Sequence, residues 1–169
     1  MKKLLISLCI FILSSPLLSQ SNADLGVAAI GLVVSDIEQS EDFYTNIIGM
    51  REVGGFSLDK QWSMEAGAAN DQPFSVKQFK LVDAPTSTIL KLAYFDHTDK
   101  VAETSGIDKR PGVNYITLFY NKSGFNEVID RVNKAGIKKI GWVKRDSYQL
   151  VFVRDPDGVF VELVGPPEN

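Results

Sequence analysis

From residue 27 onward the hydrophobic positions follow a strand period and then a helix period, and the sequence does this twice. Residues 27–34 are apolar and rich in β-branched side chains, which predicts a buried strand. Ser35-Asp36-Ile37-Glu38 has the form of a capping box, with Ser35 opening a helix and Glu38 reaching back to it. Ile37, Ser40, Tyr44, Ile47 and Ile48 fall on one side of that helix, and Gly49 ends it. Strands are predicted at residues 51–56, 76–82 and 88–95. Residues 57–75 are polar and turn-rich, a long loop with room for a short helical turn near 62–66. Trp62 and Met64 lie in this loop, either as a lid or as surface packing.

Residues 96–111 are charged and turn-rich, the best candidate linker, and beyond them the pattern restarts. A strand is predicted at 113–120. Phe125, Val128, Ile129, Val132 and Ala135 then line a helix closed by Gly136. Strands follow at 137–144, 148–154 and 159–164. Asp155-Pro156-Asp157-Gly158 makes the hairpin turn, with Pro presetting one corner and Gly taking positive φ at the next. Asp155 and Asp157 read as turn residues, because the spacing lacks the other ligands of a calcium loop. The order is strand, helix, three strands in each half, an internal repeat. Val27-Ala28-Ala29-Ile30-Gly31-Leu32 aligns with Val113-Asn114-Tyr115-Ile116-Thr117-Leu118, and Leu90-Lys91-Leu92 with Val161-Glu162-Leu163. The expected fold class is α+β.

Side chains alternate faces along a strand. Ile30, Leu32, Leu90, Leu92, Ile116, Leu118, Val161 and Leu163 form one set, uniformly aliphatic and suited to packing under helices. The opposite set mixes small residues (Ala29, Gly31, Ala93), aromatics (Phe95, Tyr115, Phe119, Phe160) and two charges (Lys91, Glu162). That mixture suits a concave, solvent-reached surface or a dimer contact.

Composition narrows the chemistry. One Cys and one His exclude a Cys₄ or Cys₂His₂ zinc site and a disulfide framework within one chain. The formal net charge of −3 and the scattered Lys138-Lys139 and Lys144-Arg145 pairs argue against a nucleic-acid face. His97, in Asp96-His97-Thr98-Asp99, reads as a solvated loop residue rather than a general base. Residues 1–23 have a basic start at Lys2 and Lys3, a short apolar core and small residues at Ser21 and Ala23, the layout of a cleaved secretory signal peptide. The apolar core is shorter than a membrane span and is interrupted by Ser14, Ser15 and Pro16. The only cysteine, Cys9, would leave with this leader. An exported domain, 24–169, is therefore expected, without nucleic acid and, after cleavage, without a membrane as partner.

Two stretches carry a family resemblance. Ile30-Gly31-Leu32-Val33-Val34-Ser35-Asp36, with Phe43-Tyr44 and Ile48-Gly49-Met50, resembles the opening of a vicinal oxygen chelate domain. Phe152-Val153-Arg154-Asp155-Pro156-Asp157-Gly158, with Val161-Glu162-Leu163, resembles its close. This is the glyoxalase, bleomycin-resistance and extradiol-dioxygenase superfamily. The resemblance implies two βαβββ modules, about 26–96 and 112–166, whose sheets curl into one cup with helices outside. It also implies four metal-ligand positions on the cup, which fall here on Ala29, Lys91, Tyr115 and Glu162. Only Glu162 keeps a usual ligand, so no metal or other cofactor is expected. Lys91 and Glu162 are expected to form a cation–carboxylate pair there. Lys91, Tyr115, Glu162, Phe95, Phe119 and Phe160 are the candidate ligand-binding residues. The resemblance leaves three readings: a metal-free binder of a small molecule, a glyoxalase-like lyase or isomerase, and a structural homodimer with a filled cup.

Overall fold

The computed structural model describes residues 27–168. The predicted leader lies outside these residues. Among those described, no helix is long and apolar enough to cross a membrane.

The first module runs β1 (Ala29–Val33), α1 (Ile37–Asp42), β2 (Arg51–Leu58), α2 (Lys60–Ala66), β3 (Phe74–Lys80) and β4 (Ile89–Tyr94). The second runs β5 (Tyr115–Phe119), α3 (Lys122–Lys134), β6 (Gly141–Lys144), β7 (Gln149–Arg154) and β8 (Phe160–Gly165). Each module forms a four-stranded sheet, ordered β1-β4-β3-β2 and β5-β8-β7-β6. The first strand of each pairs parallel with the last, and the other pairings are antiparallel. The expected α+β class, the element order and the repeat are all present. The short helical turn expected near 62–66 is present as α2, opened by Asp59, whose carboxylate accepts from Trp62 N, and closed by Gly67 in the left-handed region.

The start of α1 differs from the capping box expected at Ser35. Asp36 is the cap, accepting from Gln39 N, and Ser35 turns instead to the other module. Beyond Asp42 the helix widens into a π turn, Phe43–Ile47, with Ile48 N donating to Phe43 O. The extra residue in that turn lets Phe43, Tyr44 and Ile48 all enter the core. In α3 the apolar stripe lands as its spacing predicts: Phe125, Val128, Ile129 and Val132 are buried. Asn121 caps that helix, its Oδ1 accepting from Gly124 N at 2.8 Å. Asn121→Ala is expected to cost about 1 kcal/mol of stability, read by urea unfolding; a change within error would show that the cap is idle.

The helix-facing side chains of both sheets merge into one core, with Leu90, Leu92 and Phe79 from the first and Val151, Val161 and Leu163 from the second. Fully burying a side chain of this size contributes roughly 1.5–3 kcal/mol. The modules are also joined by polar contacts. Tyr44 donates its hydroxyl to Asp155 Oδ2 at 2.9 Å in a buried setting. Ser35 donates its backbone N–H to Asp157 at 3.2 Å and its hydroxyl at 2.5 Å. Arg131 Nε donates to Ile47 O at 2.7 Å, and Tyr120 Oη to Ile48 O at 3.1 Å. Asp155 and Asp157 are thus more than turn residues: they fasten the second module to the first helix.

Candidate functional site

Strand register fixes which residues share a face. Gly31 pairs with Lys91, and Lys91 with Gln78; Tyr115 pairs with Phe160, and Thr117 with Glu162. Since Leu90, Leu92, Val161 and Leu163 face the core, Lys91 and Glu162 both stand on the faces of their sheets turned away from it. The aliphatic and mixed sets separate along the strands as the alternation predicts.

On the first sheet, Lys91 Nζ lies 5.9 Å from the centre of the Phe56 ring. Farther along, Phe95 stacks on Phe74 with centroids 5.0 Å apart, and Trp62 meets Phe74 edge-on at 6.1 Å. Helix α2 thus brings Trp62 against the aromatic end of this sheet, while Met64 is exposed. Phe95 also lines a cavity of about 400 Å³ with Asp59, Tyr94 and Asp96.

On the second sheet, Glu162 accepts the Thr117 hydroxyl at 2.6 Å. Tyr115 meets Phe152 edge-on at 6.3 Å, and Phe152 meets Phe160 in the same manner at 6.3 Å. Phe160 is buried, capped by the Arg154 guanidinium 3.9 Å above its ring. Arg154 is held in turn by Gly158 O at 2.7 Å, by Thr104 O and by Glu103 at 3.4 Å. Part of the linker therefore covers Phe160. Phe119, by contrast, is 72% exposed. Tyr115 and Phe119 come together at a cleft of about 360 Å³ between the modules, lined also by Ile30, Met50, Leu90 and Ile116. The cleft lining holds no charged side chain.

The structure thus brings Tyr115 and Phe119 to one cleft, puts Phe95 at another cavity and encloses Phe160. The expected Lys91–Glu162 ion pair differs: among the described residues no salt bridge joins them. They belong to separate sheets, and each has a partner within its own, Phe56 for Lys91 and Thr117 for Glu162. His97 is exposed and meets only Asp99, at 3.0 Å.

Titration shifts concentrate away from this face, at the contact between modules. Burial holds the Tyr44 hydroxyl well above its usual range, and the neighbouring Asp155 carboxylate adds to the effect. Burial also raises Asp155, against the N–H of Val159 and the Tyr44 hydroxyl, which favour its ionised form.

The comparisons with known proteins agree with this geometry. The model of the Glyoxalase/Bleomycin resistance protein/Dioxygenase superfamily matches residues 26–163. The chain belongs to this superfamily. Its fold is similar to a glyoxalase family protein from Bacillus cereus, at 18% identity and a TM-score of 0.68, covering 83% of this chain and 93% of that one. It is similar also to a domain of the same superfamily from Frankia sp. EAN1pec, with 17% identity, a TM-score of 0.60 and coverage of 82% and 94%. A third similar structure is the trypanothione-dependent glyoxalase I of Leishmania major, with 18% identity, a TM-score of 0.55 and coverage of 81% and 84%. No curated protein matches.

Metal-dependent members of the superfamily imply a divalent ion, and the residues here do not fit one. At the four family positions Ala29 has no donor atom, Lys91 presents an ammonium, Tyr115 packs against Phe152 and Glu162 already accepts a hydroxyl. Among the described residues no group of three or more His, Cys, Asp or Glu side chains is placed to hold an ion. A single carboxylate cannot supply the several donors that such an ion requires.

Proposed function

We propose that this superfamily member is an exported protein that binds a small molecule in its cup without a metal. The observation that carries the reading is the set of residues at the four family positions, Ala29, Lys91, Tyr115 and Glu162, of which only Glu162 is a usual metal ligand. The cleft between the modules, which Tyr115 and Phe119 share with core-side residues such as Leu90 and Ile116, offers about 360 Å³, the low end of the range for ligand pockets. Tyr115 supplies a hydroxyl at the rim, and Phe119 and Met50 supply apolar contact. Native mass spectrometry of the protein purified from its own host tests the reading: a bound small molecule lost in Tyr115→Ala supports it, and a ligand-free protein counts against it.

The second reading, a glyoxalase-like lyase or isomerase, is favoured by the names of the structural neighbours. It separates from the first by metal. Calorimetric titration with zinc, nickel, manganese and iron(II) is expected to show no tight site in this chain. A single site lost in Glu162→Ala would overturn that expectation and restore the enzyme reading.

A further inference from the structure

We propose that the face formed by the end of α3 and by β6 docks this chain on an anionic lipid surface. Between residues 122 and 148 the sequence holds seven basic and three acidic residues, although the whole chain is −3. Along the sequence these cations are dispersed over a helix, a loop and a hairpin. The fold gathers Lys139, from the loop after α3, and Lys144, from the end of β6, around one indole, and Lys139 also donates to Asn133 near the end of α3 at 2.5 Å.

At their centre stands Trp142, 41% exposed, next to Ile140, 46% exposed. The ammonium groups of Lys139 and Lys144 lie 5.4 and 4.8 Å from the centre of the Trp142 ring. The indole is anchored rather than loose. It meets Phe125 edge-on at 6.4 Å, and its N–H donates to Gln149 Oε1 at 3.3 Å. Its polar edge is therefore satisfied inside the protein while part of its apolar body stays in solvent.

Four acidic groups oppose the cations of this segment. Glu168 pairs with Lys144 at 2.6 Å, Glu127 faces Arg131 at 3.9 Å, Asp130 lines the adjoining groove, and Asp146 follows Arg145 in the hairpin. Lys134 and Lys138 are exposed, and neither takes part in a salt bridge among the described residues. The face remains positive, and the acidic remainder of the chain would turn away from an anionic surface, which orients the encounter.

A fixed Trp and an exposed Ile ringed by lysines match the layered chemistry of a bilayer boundary. There, amphipathic rings settle at headgroup depth and ammonium groups meet anionic lipid. A nucleic acid fits less well: it offers Ile140 no apolar phase, and its high charge density repels the acidic remainder.

Vesicles test the proposal. The probe is phosphatidylcholine containing roughly one-third phosphatidylglycerol, with pure phosphatidylcholine as the reference. The chain has two tryptophans, so Trp62→Phe leaves Trp142 as the sole reporter, and the leader contains none. The expected result is a blue shift of Trp142 emission and roughly tenfold tighter association with the anionic vesicles, both reversed by high salt. Lys138→Glu/Lys139→Glu should abolish both effects. If that variant fails to fold by circular dichroism, Lys134→Glu/Lys138→Glu takes its place. Equal association with both vesicle types, an unshifted Trp142, or unchanged binding by the charge-reversed chain would overturn the proposal. So would binding to a DNA duplex without binding to vesicles.

Discussion

Replacing Asp155 with alanine is expected to destabilise the fold by about 3–5 kcal/mol, because the change strands one buried and two half-buried donors at once. Asp155 is 5% exposed. Its Oδ1 accepts from Asp157 N at 3.0 Å and Val159 N at 2.8 Å, and its Oδ2 accepts from the Tyr44 hydroxyl at 2.9 Å. Alanine removes all three acceptances, and the tight turn leaves little room for water to replace them. Asparagine keeps the acceptor oxygen toward the backbone and should cost much less. Tyr44→Phe removes one hydroxyl and should cost about 1 kcal/mol. Urea unfolding of the three variants is the measurement; a cost below that of Tyr44→Phe for Asp155→Ala would sink the argument. The pH dependence has a definite sign. Burial raises the folded-state pKa of Asp155 above its usual value, so the native chain holds this proton more tightly than the unfolded one. The group's contribution is full below the ordinary carboxylate range and is lost as pH rises through the raised folded value. The stability gap between wild type and Asp155→Asn should therefore narrow from acid toward neutral pH.

The second large effect is steric. Gly165 ends β8 on the core side, and a methyl group there would lie 2.8 Å from Phe125 Cβ, with the ring atoms closer still. Phe125 is itself buried and meets Trp142, so the ring cannot simply swing away. Gly165→Ala is expected to cost about 2–3 kcal/mol through overpacking. Combining it with Phe125→Leu should cost less than the sum of the two single changes, since the smaller side chain yields space. Additive costs would show that the glycine is required for something other than its contact with Phe125.

The contrast between these two sites explains what could be read from the chain. The modules were legible because their information is periodic. Leu90 and Leu92 alternate with Lys91, Val161 and Leu163 with Glu162, and the α3 stripe repeats at helical spacing, so face and element follow from position alone. Glycine at 165 carries no periodic signal, because its value depends on a ring forty residues earlier in the chain. Asp155 sat in a turn motif that fully accounted for it, and nothing local indicated Tyr44 as its partner. The capping box expected at Ser35 gave way to Asp36 for the same reason: Ser35 is engaged by Asp157 from the other module. Of the candidate site, strand parity set Lys91, Tyr115, Phe119 and Glu162 opposite the buried aliphatic positions of their strands. It could not foresee that Arg154 and the linker would enclose Phe160, or that Lys91 and Glu162 would find separate partners.

The contact between Tyr44 and Asp155 has a consequence for how a duplicated protein ages. Two copies of one unit begin as equals, each able in principle to melt and to drift alone. Here the phenol belongs to the first copy and the carboxylate to the second, and both are buried by the junction. Pulling the halves apart would leave a stranded hydroxyl on one and a stranded carboxylate on the other. Cooperativity is thereby built across the repeat, so the two halves are expected to lose structure in one transition. Substitutions accepted in either half must be tolerated by both. The surfaces not tied into that junction, the sheet faces turned away from the core among them, are where the copies were free to diverge.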